Sequence, residues 1–326
     1  MAARKIVDRK IEEVTSLRAE SKSPALLDKL RRALADRNNL VVSKAAGIAG
    51  DLVCPELIPE MTAAFHRYLE DAEKTDPQCW AKNALARALR DLGYDEPELY
   101  LAGAKHIQME PVWGGSQDTA AELRAICANA LVACRSLRDM EVLRVLVDLM
   151  ADREKTVRAA AAQAMGQIQR DESALLLRLK ILSGDREAEV TGECFSAILR
   201  IEPRESIALI GRFLNSEDRD LPFEAVAALG DSHEPEALDL LKRTYHSSPF
   251  RDLRRAALMS MGATRQPAAI DFLIERITAR ESAEEAIAAL ATLRSNDEVR
   301  ARVEKAVGST GSDILGSAFR KEFRLA

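Results

Sequence analysis

Residues 106–124, HIQMEPVWGGSQDTAAELR, bring unlike chemical groups together. His106 and Glu110 are four apart, the spacing at which two side chains share one helical turn and could act as a metal pair or an acid–base pair. Asp118 and Arg124 add a carboxylate and a guanidinium. Trp113, one of two tryptophans, stands between them beside a Gly-Gly pair. One His and one Glu are too few ligands for a zinc centre. The remaining histidines, His66, His233 and His246, are scattered. HExxH, GxSxG, phosphate-loop and strand-borne GxGxxG patterns are absent from the sequence. The expectation is no metal, no cofactor and no catalytic residue, in a chain that binds rather than one that catalyses.

The surrounding composition says what must position these groups. Hydrophobic residues make up 47% and aromatics only 4%, with 15 Gly and 11 Pro in 326 residues. Such a chain favours helices packed closely through small side chains. The net charge of −5 is drawn from well-mixed acids and bases, which disfavours duplex DNA, whose binding rests on phosphate neutralisation. Cys54, Cys79, Cys127, Cys134 and Cys194 form no CxxC motif. Cys127 and Cys134, seven apart, read as small buried hydrophobes on one helix face. Reduced thiols and a charged start, MAARKIVDRK, fit a cytoplasmic protein. No run approaches the ~18 apolar residues of a membrane span.

The clearest pattern is DREKTVRAAAAQAMGQI, residues 152–168. Val157, Ala160, Ala161, Ala164 and Ile168 fall at helical spacing. Positions matching Val157 recur at Val41, Ala81, Leu123, Val190, Leu221, Leu253 and Ser282. Each opens a helix with small or apolar residues on one face. Between them lie partner helices such as EVLRVLVDLM and EALDLLKRTY, whose starts are often marked by proline, as at Pro24, Pro97, Pro203 and Pro235. A lone helical hairpin cannot bury its apolar face, so the units must stack. The expected fold is all-α: a single α-solenoid over residues 1–326, with about eight to nine repeats. It has a cap helix at 3–20, irregular repeats with longer turns at 24–135, regular repeats at 139–293 and a degenerate terminal repeat at 296–326.

The Asp, the Val-Arg and the small-residue end of the unit (Asp152, Val157, Arg158, Ala164, Met165 and Gly166) resemble the HEAT-repeat family in its short bacterial, phycobilisome-lyase-like form. Asp76/Lys82, Asp118/Arg124 and Asp152/Arg158 are each six apart. The Asp is placed to cap the second helix of its unit. The resemblance implies that the basic residue pairs with a cap Asp in an adjacent unit, giving a structural ladder rather than a catalytic set. Asp36 and Asp185 keep the acid but have Val42 and Thr191 at the sixth position. Pro222 and Ala283 break the ladder in later units.

Successive anchors are 40, 42, 34, 33, 31, 32 and 29 residues apart. The two long intervals place insertions near 69–78 and 108–117, both in turns between the helices of a unit. Repeat proteins accept insertions there, often on a binding face. Trp80 occupies a position that is polar in other units (Glu122, Thr156, Glu189, Asp220, Asp252), so it needs cover. The expectation is that the 109–117 loop folds toward Trp80 as a staple, compatible with a binding patch. Exposed positions on the second helices include Asn83, Arg87, Asn129, Lys155, Gln163, Gln167 and Arg200, a mixed polar strip suited to a protein or peptide.

The chain is therefore read as an interaction scaffold. Its partner-binding candidates are Trp80, Arg87, Gln108, Glu110, Trp113, Asn129, Gln163 and Gln167. The family also suggests a HEAT-like DNA-binding protein or alkylpurine DNA glycosylase, using Trp80, Trp113, Asp118, Lys82, Arg87 and Arg124. A bilin lyase-like chaperone is a further alternative, although no residue set demands a tetrapyrrole.

Overall fold

The computed structural model describes residues 2–324, with side chains from Val7 onward. The last two residues of the expected 296–326 repeat lie outside it. The chain divides into two compact units, Met1–Ile168 and Gln169–Ala326.

Unit one begins with the helix Ala2–Ser16, followed by four helical hairpins: Pro24–Leu34 with Asn39–Asp51, Ile58–Leu69 with Trp80–Asp91, Pro97–Lys105 with Ala121–Leu131, and Asp139–Met150 with Lys155–Ile168. The second helices stack on one another in chain order, and Ala2–Ser16 packs on the first of them. It thus takes the place of a preceding second helix. It also supplies a ladder cation: Lys10 Nζ lies 2.6 Å from Asp36.

Unit two contains five hairpins among the described residues: Asp171–Ser183 with Ala188–Ile201, Pro203–Gly211 with Leu221–Asp231, Pro235–Ser247 with Arg251–Thr264, Pro267–Ala279 with Ala283–Leu290, and Asp297–Thr310 with Asp313–Glu322. Its second helices also stack in order. Pro24, Pro97, Pro203 and Pro235 each open a first helix, as the sequence suggests, and Pro267 does the same. Proline suits the first turn because its missing N–H would be unpaired there anyway.

Small residues set how closely helices approach. A Cβ added to Gly103 would collide with Cys127 Sγ on the paired helix. The anchors Val41, Ala81, Leu123, Val157, Val190 and Leu253 are all buried. Leu221 and Ser282 are not fully buried, and their successors Pro222 and Ala283 are. Those are the two positions where the ladder is lost. All five cysteines are free and buried, although Cys134 lies beyond the end of Ala121–Leu131 rather than on its face.

One element departs from the all-α pattern. Met109–Val112 (β1) and Gly115–Asp118 (β2) form an antiparallel hairpin, the only sheet among the described residues. Gly114, at φ +89, closes its two-residue turn, a conformation glycine adopts without steric cost. The signal in the sequence was the alternation Gln108–Met109–Glu110, polar inward and apolar outward, ahead of the Gly-Gly pair.

Candidate functional site

The ladder Asp residues act first on their own backbone. Asp36, Asp118, Asp152 and Asp185 each accept the N–H two residues on, at 2.8–3.0 Å. This fixes the turn into the second helix. Arg124 then bridges units. It meets its own Asp118 at 2.8 Å and Asp152 of the next hairpin at 2.9 Å, and donates to the His106 carbonyl at 2.9 Å. Arg158 donates to the carbonyls of Asp152 and Arg153 at 2.9 Å. Arg254 repeats that contact with the Ser248 carbonyl at 3.0 Å, where serine replaces the acid.

The insertion at 69–78 changes this arrangement. Asp76 cannot bond two residues on, because Gln78 and Cys79 take left-handed conformations at φ 63 and 52. Its carboxylate reaches instead to the N–H groups of Ala81 and Lys82 at 2.9 and 3.0 Å, capping Trp80–Asp91. Lys82 Nζ closes on Asp76 at 3.1 Å, with both side chains wholly buried, and donates to the Tyr68 carbonyl at 3.2 Å. Asn39 adds a bond to Asp76 at 3.0 Å.

The strained 76–79 turn is gripped by the next hairpin. Gln108 Nε2 donates to the Asp76 carbonyl at 2.9 Å and to Glu110 Oε1 at 2.6 Å. Its Oε1 accepts from Cys79 Sγ and lies 3.2 Å from His106 Nε2. Glu110 accepts from the Gln78 N–H at 2.7 Å, from Gln78 Nε2 at 2.9 Å and from the Thr119 hydroxyl at 2.8 Å. Burial works against the charge on Glu110. These four hydrogen bonds outweigh it and hold its carboxyl below the usual range. Asp118 behaves alike: desolvation is overcome by Arg124 and the N–H groups of Ala120 and Gln108. Burial lowers His106 and raises the Cys79 thiol to about 11. Such a thiol is protonated and inert near neutral pH.

Gln108 and Glu110, expected from the sequence to face a partner, turn inward instead. They are buried at 1% and 7% exposure and bonded within the chain. His106 and Glu110 both meet the Gln108 amide, and no group of three His, Cys, Asp or Glu side chains among the described residues could hold a metal.

The hairpin does fold onto the turn before Trp80, but through Gln108 and Glu110 rather than through Trp113. Trp113 is fully exposed at 104% and Trp80 is 51% exposed, so Trp113 does not cover Trp80. Ile107, Met109, Pro111 and Val112 are exposed beside Trp113. A rigid, internally braced base thus carries an apolar tip that touches little of its own chain.

Next to Trp80 on the same helix face, Asn83 is buried, not exposed as expected. It donates to Glu122 at 3.0 Å, and Arg87 pairs with the same carboxylate. Asn129 accepts from Gln167 at 2.9 Å, and Gln163 is exposed. Lys82 and Arg124, cations that a DNA reading would place on phosphates, are locked in buried ion pairs. No helix among the described residues is long and apolar enough to cross a membrane.

The HEAT repeats family matches residues 175–262 and 224–294. That match lies in unit two, outside the hairpin. No curated protein matches the chain. Among solved structures, the chain is similar to the complex of CpcE and CpcF of phycocyanin lyase from Nostoc (20% identity, 77% of this chain and 94% of that one, TM-score 0.39). It is also similar to human deoxyhypusine hydroxylase in complex with glycerol (15% identity, 80% and 98%, TM-score 0.31). An engineered protein is a third (19% identity, 96% and 93%, TM-score 0.36).

Proposed function

For a chain that carries HEAT repeats, we propose a non-enzymatic role as a docking scaffold for a protein or peptide partner. The partner is held at the 109–118 hairpin and along the adjoining strip of second helices in unit one. The observation that carries this reading is the fully exposed Trp113 on a hairpin fastened by buried side chains. Tryptophan is enriched among the residues that dominate binding energy. A braced base means that little conformational freedom is lost on docking. Trp80, the Arg87–Glu122 pair, Asn129, Gln163 and Gln167 add a mixed polar surface that complements another protein better than a uniform polyanion. The five free thiols suit a reducing compartment, so the role is assigned to the cytoplasm.

The test is affinity capture from the native host with wild type, Trp80→Ala and Trp113→Ala. A photo-crosslinking residue at the exposed position 112, beside an intact Trp113, identifies what lies against the tip. Trp113→Ala is expected to leave the melting temperature unchanged, because its indole touches so little of the chain, and to lose the crosslinked partner. If both variants keep every partner of the wild type, the reading fails.

A further inference from the structure

The register of the hairpin decides which backbone groups remain available. The Thr119 N–H donates to the Gln108 carbonyl at 2.9 Å, so that opposed pair is hydrogen-bonded. The pairing continues through Met109↔Asp118, Glu110↔Gln117, Pro111↔Ser116 and Val112↔Gly115. In an antiparallel ladder, bonded pairs alternate with pairs whose N–H and C=O groups point outward. Glu110↔Gln117 and Val112↔Gly115 therefore bond across the hairpin. Met109, Pro111, Ser116 and Asp118 turn their backbone groups to the outer edges.

The two edges are unequal. On the β1 edge Pro111 has no N–H, and a further strand cannot continue past it. On the β2 edge Ser116 and Asp118 each offer an N–H and a C=O. Gly115, Ser116 and Gln117 are exposed and uncharged. Proteins commonly protect such an edge with proline, charge or a covering element. Here β1 has the proline, while β2 has no proline, its Gly115–Gln117 stretch is exposed and uncharged, and the charge of Asp118 at its end is taken up by Arg124.

We infer that the β2 edge receives an extended segment of the partner as a third strand. This rests on the docking reading above and specifies the form the partner takes. The segment is not helical and carries no proline where it bonds Ser116 and Asp118. It bears an apolar or aromatic side chain at the end that reaches Trp113. Main-chain bonds supply affinity and the flanking side chain supplies selection, as in other cases of strand addition. A second copy joined β2 to β2 about Gln117 would use the same backbone groups. It would leave each Trp113 beyond the paired Ser116–Asp118 segment and uncovered, so the segment is assigned to a different chain.

The test uses the full chain and a random dodecapeptide display library. Enriched peptides are synthesised, and their affinities for wild type, Ser116→Pro and Trp113→Ala are measured by fluorescence anisotropy. Amide exchange is read at Ser116 and Asp118. The expected result is at least tenfold weaker binding to Ser116→Pro, similar weakening when alternate peptide residues are N-methylated, and slowed exchange at both amides of the wild type. The exchange and N-methylation arms need no protein variant, so a misfolded Ser116→Pro does not blunt the test. Peptides that depend on Trp113 but leave the two amides unprotected overturn strand addition and keep the docking reading. Peptides indifferent to both positions, or an unenriched library, count against both. Saturation of the edge by self-association on sizing with light scattering overturns the inference in favour of a dimer.

Discussion

Replacing Glu110 by Ala should release the hairpin while leaving the helices around it in place. The carboxylate accepts four hydrogen bonds, from the Gln78 N–H, Gln78 Nε2, Gln108 Nε2 and the Thr119 hydroxyl. Two of these donors have other recourse. The Gln78 side chain is exposed and regains water, and the Thr119 hydroxyl also reaches the Gln108 carbonyl at 3.3 Å. The net loss therefore rests on the Gln78 N–H and on Gln108 Nε2, which keeps only Asp76. A hydrogen bond to a charged group contributes about 1.5–3 kcal/mol. Loss of one to two such bonds lowers the cost of local opening by about 3 kcal/mol, which at 1.4 kcal/mol per decade is about 100-fold. The left-handed Gln78 and Cys79 add to the release, since that conformation is itself unfavourable for non-glycine residues. Native-state amide exchange is the assay. The N–H groups of Thr119 and Gln117 should exchange about 100-fold faster in the variant, whereas amides in Lys155–Ile168 should not change. Acceleration of less than about threefold at Thr119 would refute the claim that this carboxylate is what fastens the hairpin.

Three further outcomes follow from the same geometry. Asp76→Ala leaves the Lys82 ammonium buried without its counter-ion and should cost about 3–5 kcal/mol in denaturant unfolding, and Asp76→Asn with Lys82→Met should recover most of it. Gly103→Ala drives a methyl group into Cys127 Sγ and should destabilise by about 1–3 kcal/mol, with Cys127→Ala restoring most of the loss in the double variant. On acidification the hairpin should loosen, because Glu110, Asp118 and His106 all have folded values below their ordinary ones. Their contribution is complete above the unfolded values and is lost as pH falls through the folded ones, beginning below about 6.5 for His106 and about 4 for the carboxylates. Hairpin amide shifts followed by NMR between pH 7 and 3 check this, and opening on alkalinisation instead would contradict it.

The helical array could be read from the chain because it is written in local terms. Proline at the helix start, an Asp at the turn and Ala at the close-packed face each act within a few residues, and together they repeat. The insertions were visible as excess length, but their contents were not. Gln108 and Glu110 looked like surface groups because polarity alone does not say which way a side chain points. Their burial depends on the Gln78 and Asp76 backbone some thirty residues away. Asn83 failed for the same reason: its cover, Glu122, comes from the next unit. Trp113 stands out by residue type, but its exposure cannot be deduced while the position of the loop is unknown. The β-hairpin is marked only by the Gln108–Met109–Glu110 alternation before the Gly-Gly pair, too short to stand out as a period of two on an Ala-rich background.

Arrays of this kind grow and shrink in evolution by copying or losing one hairpin at a time, since each touches only its neighbours. Between residues 58 and 131 that freedom is gone. Loss of 97–131 would take away Gln108 and Glu110 and leave the 76–79 turn with its left-handed residues unsupported. Loss of 58–91 would strand the same two side chains as buried polar groups without partners. The two inserts are halves of one joint, so duplication, deletion or transplantation by recombination has to move both repeats as a single cassette.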